Sequence, residues 1–192
     1  MKSIIIILSA LLTSLFPISL EEAWNSSGSN NGYDKYVELE EGVIYTGGLN
    51  LTDLGGFSTK IIGNGAVIDL QGETIRADEW SSSELSIYNC AITNGSVWFE
   101  GKDSEKPFGT VENVTFYNSK GYAIRIKNTG EDVVIKNCIL SETRIDDGSG
   151  NSPDGINLAF SNSDANLPTI ENNWSYQETQ SPEDYSVHFS KL

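Results

Sequence analysis

The stretch Ile61-Ile62-Gly63-Asn64-Gly65-Ala66-Val67-Ile68, "IIGNGAVI", returns four more times in altered form. Its counterparts are "SIYNCAI" (86–92), "TVENVTF" (110–116), "VIKNCIL" (134–140) and "TIENNWSY" (169–176). Each carries an aliphatic residue two positions before an asparagine and a small or apolar residue after it. The asparagines are Asn64, Asn89, Asn113, Asn137 and Asn172, at intervals of 25, 24, 24 and 35. Three near-equal intervals and one with a surplus of eleven describe a solenoid with one loop insertion. The repeats are rich in Val, Ile, Thr, Tyr and Asn and alternate with period two. Gly or Asn breaks them every five to eight residues, and no sustained 3.6-residue period follows residue 35.

Two dozen residues of short strands and tight bends make one coil, stacked on the next about 4.8 Å away. The fold class expected is therefore all-β, a right-handed single-stranded parallel β-helix over residues 36–192. An Asn at one bend of every coil can bond its equivalents above and below, forming an inward ladder. Each coil supplies three strands. The third reads "SVWFE" (96–100), "YAIRI" (122–126), "GINLAF" (155–160) and "YSVHFS" (185–190), and "YVELEEGVIYTGG" (36–48) reads as an extended lead-in. Cys90 and Cys138 each follow a ladder Asn, but Val114 holds that place in the coil between them. Two coils set their Cα atoms roughly 9–10 Å apart, too far for a disulfide, so both are expected free and buried.

Met1-Lys2, the apolar run Ile4–Leu8 with Ala10-Leu11-Leu12, and Pro17 have the layout of a secretory signal peptide, assigned to residues 1–19. An uncleaved membrane anchor is the competing reading. No later segment suits a bilayer span, so a secreted or cell-surface protein is expected. Residues 20–35, full of Ser, Asn and Gly, are a linker or N-terminal cap. Lys plus Arg number 12 against 27 Asp plus Glu, a net charge of −15. Such a surface excludes nucleic acid and anionic lipid as partners, and disfavours acidic polysaccharides unless a cation bridges the charges.

Acidic residues fall at the strand edges. Asp154 precedes the strand 155–160, and Glu183-Asp184 precede 185–190, one coil on. Equivalent edges lie about 5 Å apart, so the three carboxylates converge beside the oversized loop "SETRIDDGSGNSP" (141–153). Like charges that close raise one pKa and leave others ionised, as a general acid and base require. Turn chemistry alone also explains Asp before Gly and Pro-Glu-Asp before a strand. "RIDDGSGNSPDG" (144–155) has a likeness to calcium loops without the Asp-x-Asp-x-Asp-Gly spacing; Ca²⁺ is the sole cofactor suggested and no metal ligand set is assigned. Trp80, Trp98 and Trp174, with Tyr117, Tyr122 and Tyr176, can stack on sugar rings where exposed. Five glycosylation sequons occur, at Asn25, Asn50, Asn94, Asn113 and Asn173, of which Asn113 is expected to face inward.

The central coils resemble polygalacturonases and related β-helical glycoside hydrolases of the pectin-lyase-like superfamily. Ser152-Pro153-Asp154-Gly155-Ile156 resembles that family's Asn-Thr-Asp-Gly-Ile/Val motif, and Pro182-Glu183-Asp184-Tyr185 its Gly-Asp-Asp-Cys motif. The resemblance spans roughly residues 58–190. It implies inverting hydrolysis, with Glu183 protonating the leaving oxygen while Asp154 and Asp184 activate water. Arg144, Asp146, Asp147, Trp174 and Tyr185 are the candidate substrate contacts. The chain departs from the pattern in three ways. Ser-Pro replaces Asn-Thr, Glu replaces the first Asp, and "SNSDANLP" (161–168) lengthens the interval. Arg125-Ile126-Lys127 mimics the family's Arg-x-Lys motif but lies upstream of Asp154, and reads as a strand end with solvated charges. His188 reads as an ordinary strand residue. The family's Gly-His-Gly turn has no counterpart before Leu192, and the last coil has no cap, so a missing C-terminal part or a covering subunit is expected.

Two functions stay open on these residues. One is a glycan-processing hydrolase, or a piece of one, using Asp154, Glu183 and Asp184. The other is a non-catalytic extracellular β-helix module for surface structure, adhesion or glycan binding.

Overall fold

The computed structural model describes residues 17–78, 84–101, 106–119, 122–129, 131–141, 156–159 and 167–176. Its strands are short and alternate in burial: Thr59 and Ile61 point inward while Lys60 and Ile62 are half-buried. That alternation is what lets a three- or four-residue strand give one face to a core and one to water.

The first coil is β2 (Lys35–Glu38), β3 (Ile44–Thr46) and β4 (Leu49–Asn50). The next two are β5 (Thr59–Ile62), β6 (Val67–Asp69), β7 (Thr74–Ala77), then β8 (Leu85–Tyr88), β9 (Ala91–Thr93), β10 (Ser96–Glu100). There follow β11 (Gly109–Glu112), β12 (Thr115–Tyr117), β13 (Ile124–Lys127), then β14 (Val133–Lys136), β15 (Ile139–Ser141), β16 (Ile156–Ala159). β17 (Thr169–Glu171) and β18 (Trp174–Tyr176) begin a sixth coil. Residues 36–48 are thus part of a full coil rather than a lead-in.

First strands form a six-stranded sheet, β2 to β17. Second strands form a seven-stranded sheet that also takes β1 (Ile18–Ser19). Third strands form a five-stranded sheet, β4 to β16. Every pairing between these strands is parallel, and the expected parallel β-helix is what forms. The interior is built of stacks of like residues. Ile61, Ile87, Val111 and Ile135 occupy one register row, and Ile68, Ile92, Phe116 and Leu140 another; all are buried. Each such side chain contributes about 1.5–3 kcal/mol by leaving water.

The asparagine bends need a correction. Asn89, Asn113, Asn137 and Asn172 sit at φ 54–57°, the left-handed region that Asn tolerates, but their side chains point out and are exposed. Asn113 Nδ2 donates to Asn89 Oδ1 at 3.2 Å, so the ladder runs along the surface and not the interior. Asn113 as an inward-facing sequon is overturned with it. Asn64 is not an equivalent of the others. Ile62 pairs with Tyr88 and Val67 with Ala91, so four residues there span what Asn89-Cys90 spans in the next coil. Gly63 packs so closely that an added Cβ would lie 2.3 Å from Cys90 Cβ. Asn64 Nδ2 instead donates to the Leu39 carbonyl at 3.0 Å. The inward residue of that bend is Ala66, stacked with Cys90, Val114 and Cys138. Both cysteines are free and buried, as expected.

A short helix, α1 (Leu20–Ser26), joins β1 to the first coil, with Ser19 Oγ accepting from Glu22 N at its start. Leu20 and Trp24 enter the core, and Trp24 Nε1 donates to Thr59 Oγ1 at 3.1 Å. α1 thereby covers apolar surface that the first coil would otherwise leave open. Among the described residues no helix is long and apolar enough to cross a membrane.

Candidate functional site

The third strands are where sequence put the candidate chemistry, and on β4, β7, β10 and β13 the outward row is half-buried and polar or aromatic. Asn50, Arg76, Trp98, Arg125 and Asn157 share one register row across β4, β7, β10, β13 and β16. Trp98 lies between two cations, with the Arg76 guanidinium 5.4 Å from its ring centroid and that of Arg125 4.7 Å. Both lie within cation–π range, and both ring faces are covered. The indole N–H donates to Ser96 Oγ at 3.0 Å.

Two residues further along, the strands bring charges together. Glu100 is 6% exposed. Its Oε2 accepts from Arg76 Nη2 at 3.1 Å, and its Oε1 accepts from Lys127 Nζ. Arg76 Nε lies 2.8 Å from Asp78 Oδ2. Burial works to raise the Glu100 pKa, but the Lys127 hydrogen bond and the charges of Lys127, Arg76 and Arg125 outweigh it, so the net shift is downward. A carboxylate held ionised among three cations is a charge anchor rather than a proton donor.

Arg125 and Lys127, read from sequence as solvated charges, are therefore built in. Arg125 stacks on Trp98 and Lys127 pairs with Glu100. The sequence signal for this was weak. The partners are 22 to 27 residues apart, and only the strand register shows which ones meet.

Asp154, Glu183, Asp184, Arg144, Asp146, Asp147 and Tyr185 lie outside the described residues, as do His188 and the calcium-like stretch 144–155. β16, the strand that Asp154-Gly155 leads into, is the neighbour of β13 in this sheet, with Ile124 opposite Ile156. Trp174 is not on this face. It belongs to β18 of the seven-stranded sheet, opposite Ile139, and is 57% exposed. Among the described residues no group of three or more His, Cys, Asp or Glu has the proximity to hold a metal ion.

No family model matches the chain. No curated protein and no solved structure matches it either. The parallel β-helix is thus established by the fold itself, and the likeness to pectin-lyase-like enzymes rests on the quoted motifs alone.

The six-stranded sheet carries a second cation–aromatic group on its outer face. Lys60 Nζ lies 4.9–5.9 Å from the rings of Tyr88, Tyr33 and Tyr36, so those tyrosines already enclose a cation of the chain's own. The Tyr33 hydroxyl is pushed up to about 12 by burial and by its hydrogen bond to Glu84. Lys136 and Glu112 pair at 3.3 Å on the same sheet.

Proposed function

We propose that the protein is an exported β-helix acting on a polysaccharide along the outer face of its five-stranded sheet. The observation that carries this reading is the row Arg76–Trp98–Arg125, whose guanidinium donors are fixed by stacking and ion pairing before any ligand arrives. Pre-ordered planar donors suit the hydroxyls and ring oxygens of a sugar chain, because little side-chain entropy is lost on binding. The row continues into β16, next to the segment that carries Asp154. In this reading Glu183 donates the proton and Asp154 and Asp184 activate water, as the motif resemblance implies. Export uses the apolar N-terminal segment, the signal assigned to residues 1–19.

Reducing-sugar release from a panel of polysaccharides tests it. Asp154→Asn is expected to lower the rate by about 10²–10⁴-fold, the usual contribution of an acid–base group. Equal rates for wild type and variant would remove Asp154 from the reaction. A second reading, a binding module without hydrolysis, is supported by the outer face of the seven-stranded sheet, which runs uninterrupted from β3 to β18. Retention on a polysaccharide without any sugar release would favour it.

A further inference from the structure

The outer face of the seven-stranded sheet differs in kind from the other two. One register row is Ile44, Val67, Ala91, Thr115, Ile139 and Trp174. The row beside it, two residues on, is Thr46, Asp69, Thr93, Tyr117 and Ser141. These eleven outward positions hold a single charged residue, on a chain of net charge −15. Even that charge is engaged, since Asp69 Oδ1 accepts from Asn94 Nδ2 at 2.8 Å and from the Gln71 amide at 3.1 Å. Yet large apolar groups are exposed there: Tyr117 at 52%, Trp174 at 57%, with Ile44 and Ile139 at 50% and 42%. Exposed apolar surface gathered on one side of a soluble fold marks a contact face.

We infer that this face binds a neutral polysaccharide, with Tyr117 and Trp174 as the sugar-stacking platforms. The inference rests on the glycan reading above and assigns the binding to a different face. Charge decides the occupant. An anionic polymer or a second copy of the chain would meet the field of fifteen net negative charges, whereas a neutral chain meets none. Shape agrees, because consecutive parallel strands about 4.8 Å apart give a long flat surface, not a cleft for a small molecule. Tyr117 and Trp174 stand two strands and two residues apart, about 12 Å by those spacings, so each can take a different sugar of one chain. The short hydroxyls of Thr115 and Ser141 lie between them as donors and acceptors, and Thr93 extends the row one strand beyond Tyr117.

The test is co-sedimentation of the full protein with insoluble cellulose, chitin and β-1,3-glucan, and retardation of the protein in gels containing polygalacturonate. At least one neutral polymer is expected to retain the wild type, with less than a twofold change between 0.05 and 1 M salt, as an uncharged contact requires (the screening length falls about four- to fivefold over that range and would weaken an ionic one). Tyr117→Ala with Trp174→Ala should lower retention at least tenfold while far-UV circular dichroism stays unchanged. Lys136→Ala, on the outer face of the six-stranded sheet, should leave it intact. Where the double variant fails to fold, Tyr117→Ser alone must still weaken retention severalfold. Binding lost with Arg125→Ala but kept in the double variant would overturn this inference and leave the glycan reading standing. No retention by any polymer would overturn both. A wild-type dimer in sedimentation velocity that the double variant dissociates would reassign the face to self-association and overturn it too.

Discussion

Replacing Glu100 by Gln isolates one charge at the centre of the five-stranded sheet. The carboxylate is 6% exposed and is bonded by Arg76 and Lys127, whose side chains are 27% and 37% exposed. Breaking a fully buried pair costs about 3–5 kcal/mol, because the remaining charge loses its compensation. Both cations here retain contact with water, Lys127 more than a third of its surface, so solvent takes over part of the loss. Arg76 also keeps Asp78. The expected cost is about 1–3 kcal/mol at neutral pH. Its pH dependence follows from the sign of the shift. Glu100 is held below the ordinary Glu value in the folded state, so the unfolded chain binds its proton first as pH falls. The stability from this group is complete above the unfolded value of about 4.3 and is lost as pH drops through the lower folded value. Urea titrations at pH 7 and near pH 2.5, following the tryptophan fluorescence, should show Glu100→Gln less stable by that amount at neutral pH, and wild type and variant converging in acid. A difference that stays constant across the range would show that the cost comes from packing and not from the charge.

Gly109 has φ +137°, and a Cβ there would lie 2.0 Å from the Leu85 carbonyl oxygen. Gly109→Ala should therefore lower the free energy of unfolding by about 1–3 kcal/mol for the clash, with backbone strain in addition, while Gly28→Ala, whose Cβ meets nothing within 4 Å, stays near wild type in a urea titration. Asn118 has φ +55° and donates Nδ2 to Asn94 Oδ1 at 2.6 Å. Asn118→Ala should cost about 1–2 kcal/mol and Asn118→Gly visibly less, since Gly restores the backbone and loses only the side-chain bond; equal losses would refute the role of the left-handed bend. Burial pushes the thiols of Cys90 and Cys138 up to about 12 and about 11, so neither should react with a thiol-exchange reagent at pH 8 within an hour, and both should react once the chain is unfolded in guanidinium. Rapid labelling of the native protein would contradict their burial.

What the sequence revealed was whatever the physics repeats in every coil. Asn89, Asn113 and Asn137 occupy the same left-handed bend because Asn, after Gly, adopts it at least cost, and the chain must make that bend once per turn. Their spacing therefore reads as a solenoid period, and the alternation of Val111, Glu112 or Ile135, Lys136 reads as strand. Asn64 shows where the letters mislead. It shares the residue type but sits in a four-residue turn around Gly63, and only the strand register separates it from the others. A second bend series, Asn94 and Asn118 at φ 55°, follows the second strands, while Gln71 at φ 54° sits in a four-residue turn (70–73) that breaks this series as Asn64 breaks the first.

Function is harder to read for the same reason in reverse. A site is made where coils differ, and the residues that meet there are set by loop lengths that carry no period. Arg76, Trp98 and Arg125 stack although they lie 22 and 27 residues apart, because the third strands of those coils are separated by connections of unequal length. Trp174, read from sequence as a substrate contact for the Asp154 site, belongs to a strand of another sheet. The interior rows constrain the three inward faces to aliphatic and aromatic residues of similar size. They place no such demand on the outer faces, where one sheet spends its polar residues on Lys60 and Glu112–Lys136, and another on Glu100 and its cations. A solenoid under selection for solubility alone would charge the third face as well. That the face bearing Tyr117 and Trp174 holds one engaged carboxylate in eleven outward positions is a departure the fold does not require, and it is the property a neutral ligand would need.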